Sequence, residues 1–369
     1  MTLPHRIAAS IDLKALRHNL EIARHRAQGG RILAVVKANA YGHGLIPVAE
    51  ALHFADMYGV TDIHEAERLR AAGTNKPILI MQGLIMPEDV ERIGRGGFNV
   101  VIHRKEDLAL LEAGFARTPP RQPLSFWLKL QSGMGRLGIE PQDYPDLYRA
   151  LRQQPWTARV QMMTHLANAS LPWSALNDTQ LRCFREVQAA LAQEKPDTSI
   201  ASSAGLLALD YASSWVRPGI MLYGSSPFAW ADKQQRSEAF GLKPVMTLRA
   251  RLISIRQHRA GDNIGYNSQF ICPRPMRIGF VSCGYADGYP SNTPNGSPVA
   301  IHGKRAYTVG RVSMDMLAID LSGIAEAQLG DAVTLWGEGV SVDEVAAHTG
   351  ILSYNLFCSV SARVPKYYA

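Results

Sequence analysis

The chain has 369 residues, of which 46% are hydrophobic and 19% charged, a composition typical of an ordinary globular protein. Its formal net charge of +7 is mild for this length and its basic residues are scattered, which argues against nucleic acid as a partner. Because the chain has neither a run of about eighteen apolar residues nor an uninterrupted apolar segment near its start, we expect no membrane span, no secretory signal and a cytoplasmic location.

From residue 11 onward, helix-like and strand-like segments alternate with regular spacing. Asp12 is the predicted N-cap of a helix on which Leu13, Leu16 and Leu20 recur at helical spacing. Short apolar runs follow, each typical of a buried parallel strand, with a helical segment between most neighbours. The eight runs are ILAVVK (32–37), MYGVTD (57–62), PILIMQG (77–83), NVVIH (99–103), PLSFWLKLQ (123–131), ARVQMMTHLA (158–167), TSIASSA (198–204) and SSWVRPGI (213–220).

This alternation predicts the fold class. Repeated strand–helix units form either an open doubly wound sheet or a closed barrel. Eight units within about 235 residues indicate an α/β fold of the (β/α)8 TIM-type barrel class, whose usual length is about 250 residues. The open alternative, a Rossmann sheet, needs a dinucleotide fingerprint early in the chain, and the early sequence contains none.

The pattern changes after residue 238. Strand-like runs separated by turn residues follow, namely VMTLRARLISI, RIGFVSCG, PVAIHGKRAYTVG, MLAIDL and DAVTLWG. Only VDEVAAHTG is predicted as a helix in this part. We therefore predict two domains, a barrel over residues 1–238 and a C-terminal mainly-β domain over residues 239–369.

Polar side chains end several of the predicted barrel strands. A lone lysine at such a position is most often a solvated charge, and a lone histidine is most often a hydrogen-bonded structural residue. Barrels place their active sites at the C-terminal ends of the strands, so convergence of several such residues indicates a site. The candidates are Lys37, Lys129, His165, Ser202, Ser203 and Arg217.

The segment AVVKANAYGHG, at the end of the first predicted strand, indicates carbonyl chemistry. Burial of a lysine that leaves an apolar strand lowers its pKa, so Lys37 can act as an amine nucleophile. Tyr41 can hydrogen-bond a phosphate, and SSAG and RPGIMLYG offer a hydroxyl and glycine amides where barrels commonly bind phosphate. Together they predict a phosphorylated aldehyde bound to Lys37, and pyridoxal phosphate (PLP) is the candidate.

Two other kinds of site are disfavoured by spacing. Gly133–Gly138 match G-x-G-x-x-G, but Pro141 and Pro145 follow where a dinucleotide site needs a helix. The 11 histidines form no HExxH or HxH pattern and the four cysteines include no CxxC pair, so neither a metal site nor a disulfide framework is predicted.

The string AVVKANAYGHG resembles the PLP-attachment motif of the alanine racemase family. The resemblance continues in register through KLQSGMGRLG, MTHLA, SSAG, VRPGIMLYG, GYADGYP, VGRVSMDM and SYNLFCSVSARVP, nearly the whole chain. It implies a PLP-dependent isomerase that interconverts L- and D-alanine with two bases and supplies D-alanine for cell-wall peptidoglycan. It also implies a head-to-tail homodimer whose active sites are shared between subunits.

The resemblance further implies a role for each matching residue. Lys37 would bind the cofactor covalently and act as one base, and Tyr266 of the partner chain would be the opposing base. Arg217, backed by His165, would donate to the pyridine nitrogen of the cofactor. Arg136 would hydrogen-bond the phenolic oxygen, with Lys129, a position often N-carboxylated in the family, behind it. The phosphate would be held by Tyr41, Ser203, Gly219, Ile220 and Tyr354, and the substrate by Arg136, Met314, Asp315 and Tyr285.

The sequence departs from the family pattern at three positions. Asn267 stands where the family usually has glycine after the catalytic tyrosine. Ser313 stands where some members have cysteine, and Ser202 where others have asparagine.

Three alternative functions remain beside this interpretation. A racemase of broader amino-acid specificity needs only a few changed pocket residues. A PLP-binding homeostasis protein resembles the barrel alone, so the predicted β domain argues against it. A PLP decarboxylase on a related scaffold usually pairs the pyridine nitrogen with a carboxylate, and Arg217 argues against that reaction.

Overall fold

The computed structural model describes residues 5–209 and 211–369, which divide into two compact units. The barrel unit comprises Leu20–Ala40 and Leu45–Leu222. The β unit comprises the described residues up to Asn19, together with Tyr41–Gly44 and Tyr223–Ala369. The predicted domain boundary between residues 238 and 239 stays a prediction. Within the described ranges, no helix is both long enough and apolar enough to cross a membrane.

The first strand of the chain, β1 (Ile7–Ile11), belongs to the β unit, and the next eight strands form the barrel. These eight parallel strands close in chain order, because the last of them pairs with the first through Arg31↔Trp215 and Ile32↔Val216. They are β2 (Arg31–Val35), β3 (Met57–Val60), β4 (Ile78–Ile80), β5 (Asn99–Ile102), β6 (Leu124–Lys129), β7 (Thr157–Met163), β8 (Thr198–Ser202) and β9 (Trp215–Arg217).

Helical segments precede and connect these strands, as the sequence predicts. The predicted cap at Asp12 is confirmed, since its carboxylate accepts the backbone N–H groups of Lys14 at 2.8 Å and Ala15 at 2.9 Å. The segments are α1 (Leu13–Arg26), α2 (Lys37–Tyr41), α3 (Leu45–Ala51), α4 (Ile63–Ala71), α5 (Asp89–Gly96), α6 (Glu106–Arg117), α7 (Tyr144–Arg152), α8 (Ala175–Ala189) and α9 (Ser203–Ala208). Short 3₁₀ turns follow at Ile220–Tyr223, Lys233–Gln235, Ser237–Phe240, Tyr266–Ser268 and Tyr285–Asp287.

The barrel strands are apolar along most of their length because both of their faces are covered. Phe126, Trp127 and Leu128 of β6 are fully buried, and the rings of Trp127 and Trp215 meet edge to face at 5.5 Å between centroids. This packing fixes the strand ends, from which the candidate site residues project.

The β unit is an eight-stranded sheet. Its strand order is β13-β16-β15-β14-β17-β10-β1-β18, and a further pairing of β13 with β10 joins six of the strands into a ring. All pairings are antiparallel except that of β1 with β18. The strands are β10 (Met246–His258), β13 (Met276–Val281), β14 (Pro298–Ile301), β15 (Lys304–Val309), β16 (Leu317–Asp320), β17 (Ala332–Trp336) and β18 (Lys366–Tyr368), with a hairpin of β11 (Asn263–Ile264) and β12 (Phe270–Ile271) and helices α10 (Val342–Thr349) and α11 (Ser353–Ser359).

The predicted fold class, a (β/α)8 barrel followed by a mainly-β part, is confirmed, but the sequence analysis missed several short elements, among them β1 and α11. Strand β1 pairs with β10 and β18, and both partners lie far from it in the sequence, so no local pattern marks it. The prediction that VDEVAAHTG is the only helix after residue 238 is wrong, because α11 follows it. The seven residues of α11, SYNLFCS, are too few to establish a helical period.

Candidate active site

Lys37 lies just beyond the end of β2 and opens a turn with an unusual backbone. Ala38, Asn39 and Ala40 have φ of 54° and Tyr41 has φ of 51°, so four consecutive non-glycine residues are left-handed. Each such residue costs about 1–2 kcal/mol relative to the right-handed conformation. Strain of this kind persists only where surrounding contacts hold it, and it concentrates at functional sites.

Arg217 ends β9 and is the most strongly enclosed charge of the barrel site, with 2% of its surface exposed. Its Nη2 donates to the carbonyl oxygens of Thr164 at 2.7 Å and Ile200 at 3.1 Å, and its Nη1 donates to the Ser199 hydroxyl. Burial lowers the pKa of Arg217 to about 10. The guanidinium therefore stays protonated at neutral pH and can only donate hydrogen bonds.

His165 follows the end of β7, and its Nδ1 lies 3.3 Å from Nη2 of Arg217. Burial, followed by the positive charge of Arg217, lowers the pKa of His165 to about 3. The imidazole is therefore neutral. Because the guanidinium donates, Nδ1 accepts and the ring proton lies on Nε2.

Lys129, the last residue of β6, completes a group of basic side chains. Burial, followed by the positive charges of Arg136, Arg217 and Lys37, lowers its pKa to about 8. The pKa of His165 is also lowered by the charges of Lys129, Arg136 and Lys37. We call Lys37, Lys129, Arg136, His165 and Arg217 the basic cluster. Like charges brought together in a partly buried place favour an electron-rich or anionic ligand.

Ser203, the first residue of α9, holds the loop after β9. Its buried hydroxyl accepts the backbone N–H groups of Gly219 at 2.9 Å and Met221 at 3.3 Å. A hydroxyl that accepts twice still has its own proton to donate. Ser203 can therefore donate to an anion, whereas the Gly219 amide already points at Ser203. Ile220 opens the 3₁₀ turn that follows, and Ser202 ends β8.

Two candidate phosphate ligands belong to the β unit and lie together. The rings of Tyr41 and Tyr354 are 5.9 Å apart between centroids. Burial raises the pKa of Tyr354 to about 12 and raises the pKa of Tyr41 as well. Both phenols keep their protons at neutral pH and can serve as hydrogen-bond donors.

The remaining candidates are exposed side chains of the β unit. Tyr266 is 66% exposed, Met314 53% and Tyr285 45%. The loops that carry Met314 and Tyr285 are joined, since the Tyr285 N–H donates to the Ser313 carbonyl at 3.1 Å and the Ala286 N–H to the Met314 carbonyl at 3.0 Å.

Asn267, the departure next to Tyr266, has φ of 59°. Glycine adopts this left-handed conformation without strain, and asparagine is among the few other residues that adopt it readily. Asn267 therefore fits the backbone that a glycine would adopt there.

Sequence reasoning missed the residues that hold the candidates in place. Thr164 and Ser199 bind Arg217, and Arg363 binds the Asp315 carboxylate at 2.7 Å. Ser199 stands in ordinary strand sequence, and Thr164 and Arg363 lie in the matched strings MTHLA and SYNLFCSVSARVP without a signal of their own. The structure thus brings the basic cluster together, pairs Ser203 with Gly219, and pairs Tyr41 with Tyr354. The chemical role of each residue stays a prediction.

Two family models match the sequence. The alanine racemase N-terminal domain matches residues 11–227, and the alanine racemase C-terminal domain matches residues 245–368.

The similarity to several other proteins extends over nearly the whole chain. The chain is 44% identical over 362 residues to a catabolic alanine racemase of Pseudomonas putida, with 98% of each chain covered. It resembles the crystal structure of the biosynthetic alanine racemase of Pseudomonas aeruginosa with a TM-score of 0.91, at 42% identity and 99% coverage of both chains. It also resembles the alanine racemase of Acinetobacter baumannii, with a TM-score of 0.91 at 34% identity and 100% coverage of both chains. The chain belongs to the alanine racemase family.

Proposed function

We propose that this protein interconverts L- and D-alanine with PLP bound to Lys37. The observation that carries the proposal is the basic cluster. It contains a protonated Arg217, a neutral His165 and Lys129, whose pKa is lowered in part by the charges of Arg136, Arg217 and Lys37. PLP needs an amine for its aldehyde, donors for its phenolic oxygen and phosphate, and a partner for its ring nitrogen. Lys37, Arg136, Ser203 and Arg217 are of the right chemical types.

Bound PLP supplies an electron-withdrawing ring that makes the α-proton of an amino acid acidic. Inversion at the α-carbon then needs one group that removes a proton on one face and another that returns a proton on the opposite face. We assign these roles to the Lys37 amine and the Tyr266 phenol. The Tyr266 phenol would need neighbouring positive charges or hydrogen-bond donors that stabilise its anionic form before it could take a proton.

Arg217 would control which reaction follows proton removal. Since its guanidinium keeps its proton, it would donate to the ring nitrogen of the cofactor and leave that nitrogen unprotonated. His165 accepts a hydrogen bond from Nη2 of the same guanidinium and helps to fix its orientation. A ring that withdraws electrons less strongly favours prompt return of the proton over transamination.

We further propose a homodimer in which each site takes Tyr266, Met314, Asp315 and Tyr285 from the partner subunit. Tyr266 is two-thirds exposed in the single chain, although a catalytic phenol needs neighbouring positive charges or hydrogen-bond donors that stabilise its anionic form. The basic cluster of a partner subunit would supply such neighbours. Lys129 would be N-carboxylated. Tyr41, Ser203, Ile220 and Tyr354 would hold the phosphate, and Gly219, whose amide donates to Ser203, would position the Ser203 hydroxyl.

The broader proposal places the enzyme in the cytoplasm, where D-alanine enters peptidoglycan synthesis, with domains over residues 1–238 and 239–369. A racemase of broader specificity is the second candidate, since a few side chains at the substrate end set the size limit. A PLP-binding homeostasis protein is disfavoured by the match of residues 245–368 to the C-terminal domain.

The direct test is proton NMR of L-alanine incubated in heavy water with the purified, PLP-loaded protein. Loss of the α-proton signal together with formation of D-alanine is expected, and the Lys37→Ala variant should show neither. Retention of the α-proton by a protein that binds PLP through Lys37 would reject alanine as the substrate. Larger amino acids would then be tested in the same assay.

A mixing experiment tests the shared site. Lys37→Ala and Tyr266→Phe alone should each racemise alanine far more slowly than wild type, because each destroys one base in every site. A mixed dimer regains one intact site only if Lys37 of one chain works with Tyr266 of the other. Recovery of racemase activity after mixing supports the shared site, and no recovery in a verified mixed dimer contradicts it.

A further inference from the structure

The left-handed turn that follows Lys37 is held by contacts from outside the turn. The backbone N–H of Asn39 donates to the carboxylate of Glu65 at 2.7 Å. The side-chain oxygen of Asn39 accepts the backbone N–H of Leu45 at 3.0 Å. Within the segment, the Ala40 N–H donates to the Val36 carbonyl at 2.9 Å. Glu65 therefore satisfies the backbone N–H of Asn39 inside the strained turn.

Glu65 itself is held on a rigid element. It lies in the first turn of α4, whose N-cap Asp62 accepts the His64 N–H at 2.6 Å. Ile63, Ala66 and Leu69 bury the other face of α4 against the barrel. The Glu65 side chain is half-buried, so its hydrogen bond to Asn39 is only partly exposed to water.

We propose that Glu65 is a positioning residue for Lys37. L-residues avoid the left-handed conformation, so a turn that lost the acceptor for Asn39 would relax toward another backbone conformation. Lys37 is joined directly to this turn, and relaxation would change the direction in which its side chain leaves the strand end. The Glu65 carboxylate thus holds the Lys37 amine at the barrel mouth. This inference rests on the proposed function of Lys37.

The effect of the Glu65 hydrogen bond on Lys37 can be separated from the effect of the Glu65 charge by substitution. Lys37 and Glu65 also line the same open cleft, so a long-range effect of the carboxylate charge on the amine is the competing explanation. Glu65→Gln keeps an oxygen acceptor for Asn39 and removes the charge. Glu65→Ala removes both. Glu67→Ala is the matched control, because it removes a carboxylate of the same helix that pairs with Arg92 at 2.6 Å.

The first measurement is hydrogen exchange of the backbone around residue 39 in the full-length, PLP-loaded protein, followed by mass spectrometry. Exchange of this segment should become about tenfold faster in Glu65→Ala, as expected for loss of a hydrogen bond to a charged group. It should stay within about twofold of wild type in Glu65→Gln and Glu67→Ala. Unchanged exchange in Glu65→Ala would overturn the proposal.

The second measurement is the rate at which each full-length variant, stripped of cofactor, takes up added PLP at Lys37, followed by the absorption band of the lysine-bound cofactor. Uptake should be slowed in Glu65→Ala and normal in Glu65→Gln, and kcat for L-alanine should fall in the former with little change in KM. Equal defects in Glu65→Gln and Glu65→Ala would assign the effect to charge and overturn the proposal. Because PLP uptake does not require racemisation, a wild-type protein inactive on alanine would reject the proposed function while leaving this inference testable.

Discussion

Nη2 of Arg217 lies 3.3 Å from Nδ1 of His165 and 2.7 Å from the Thr164 carbonyl oxygen, so two residues that directly follow β7 engage the same guanidinium nitrogen. The histidine beside it is neutral, because burial and the positive charge of Arg217 lower its pKa to about 3. The pair therefore carries one positive charge in total, and that charge stays on Arg217.

Arg217→Glu should change the balance of reactions. A carboxyl group at this position can protonate the ring nitrogen of the cofactor, which Arg217 is proposed to leave unprotonated. We expect racemisation to fall about a hundredfold, as for the loss of one charge-stabilising donor, and pyruvate formation by transamination to rise. Arg217→Lys, which keeps the positive charge, serves as the control. Persistent racemisation with no rise in transamination would show that Arg217 does not control the reaction type.

The stability of the protein should depend on pH through His165. The pKa of His165 is about 3 in the folded protein against an ordinary value of 6.5, so between these pH values the unfolded chain binds more protons. Stability should therefore fall as pH falls through this range, by up to about 1.4 kcal/mol per pH unit. Urea unfolding across the pH range should show a smaller loss for His165→Gln. An identical slope in that variant would assign the pH dependence to other groups.

Lys129 should react with carbon dioxide near neutral pH. A lysine of pKa about 8 has roughly half of its amine neutral at pH 8, whereas an ordinary lysine has under about 1%. The resulting carbamate would be anionic and would lie beside the charges of Arg136 and Arg217. Carbon-13 NMR of protein in labelled bicarbonate should show one carbamate signal that is absent in Lys129→Arg. A signal that survives this substitution would place the modification elsewhere.

Tyr266→Phe should separate proton exchange from inversion. With Lys37 as the only remaining base, one enantiomer of alanine should still exchange its α-proton in heavy water without being inverted. Racemisation should fall by about 10²–10⁴, the usual contribution of a general acid or base. Proton NMR and chiral chromatography of the recovered alanine measure both effects. Inversion at the wild-type rate would exclude Tyr266 as a base.

Arg363 should tune substrate affinity without taking part in the chemistry. It lies 2.7 Å from the Asp315 carboxylate and 3.5 Å from that of Asp287, which is fully buried in the turn that carries Tyr285. Arg363→Ala should release the Asp315 loop and raise KM for L-alanine by at most about fivefold, because the Arg363–Asp315 pair is partly exposed. Arg363→Lys should restore part of the affinity. A fall in kcat at unchanged KM would contradict this role.

The sequence by itself determined the fold class and the candidate residues of the barrel site. Eight apolar runs at regular spacing leave few economical folds, and residues that end parallel strands necessarily meet at one edge of the barrel. Lys37, Lys129, His165, Ser203 and Arg217 were predicted in this way, from local pattern alone. The family resemblance then supplied Tyr266, Met314 and Asp315, which carry no local signal of chemistry.

The hydrogen-bond partners, burial and pKa of those residues depend on the tertiary structure. Several decisive contacts join residues that are far apart in sequence. They are the pairing of β1 with β10 and β18, the hydrogen bonds of Arg217 to Thr164 and Ser199, and the hydrogen bond from Asn39 to Glu65. The lowered pKa values of His165 and Lys129 likewise arise from burial and from charges on other strands. Local periodicity reports which face of an element is buried. It does not report which polar group lies opposite, because that depends on how distant segments pack.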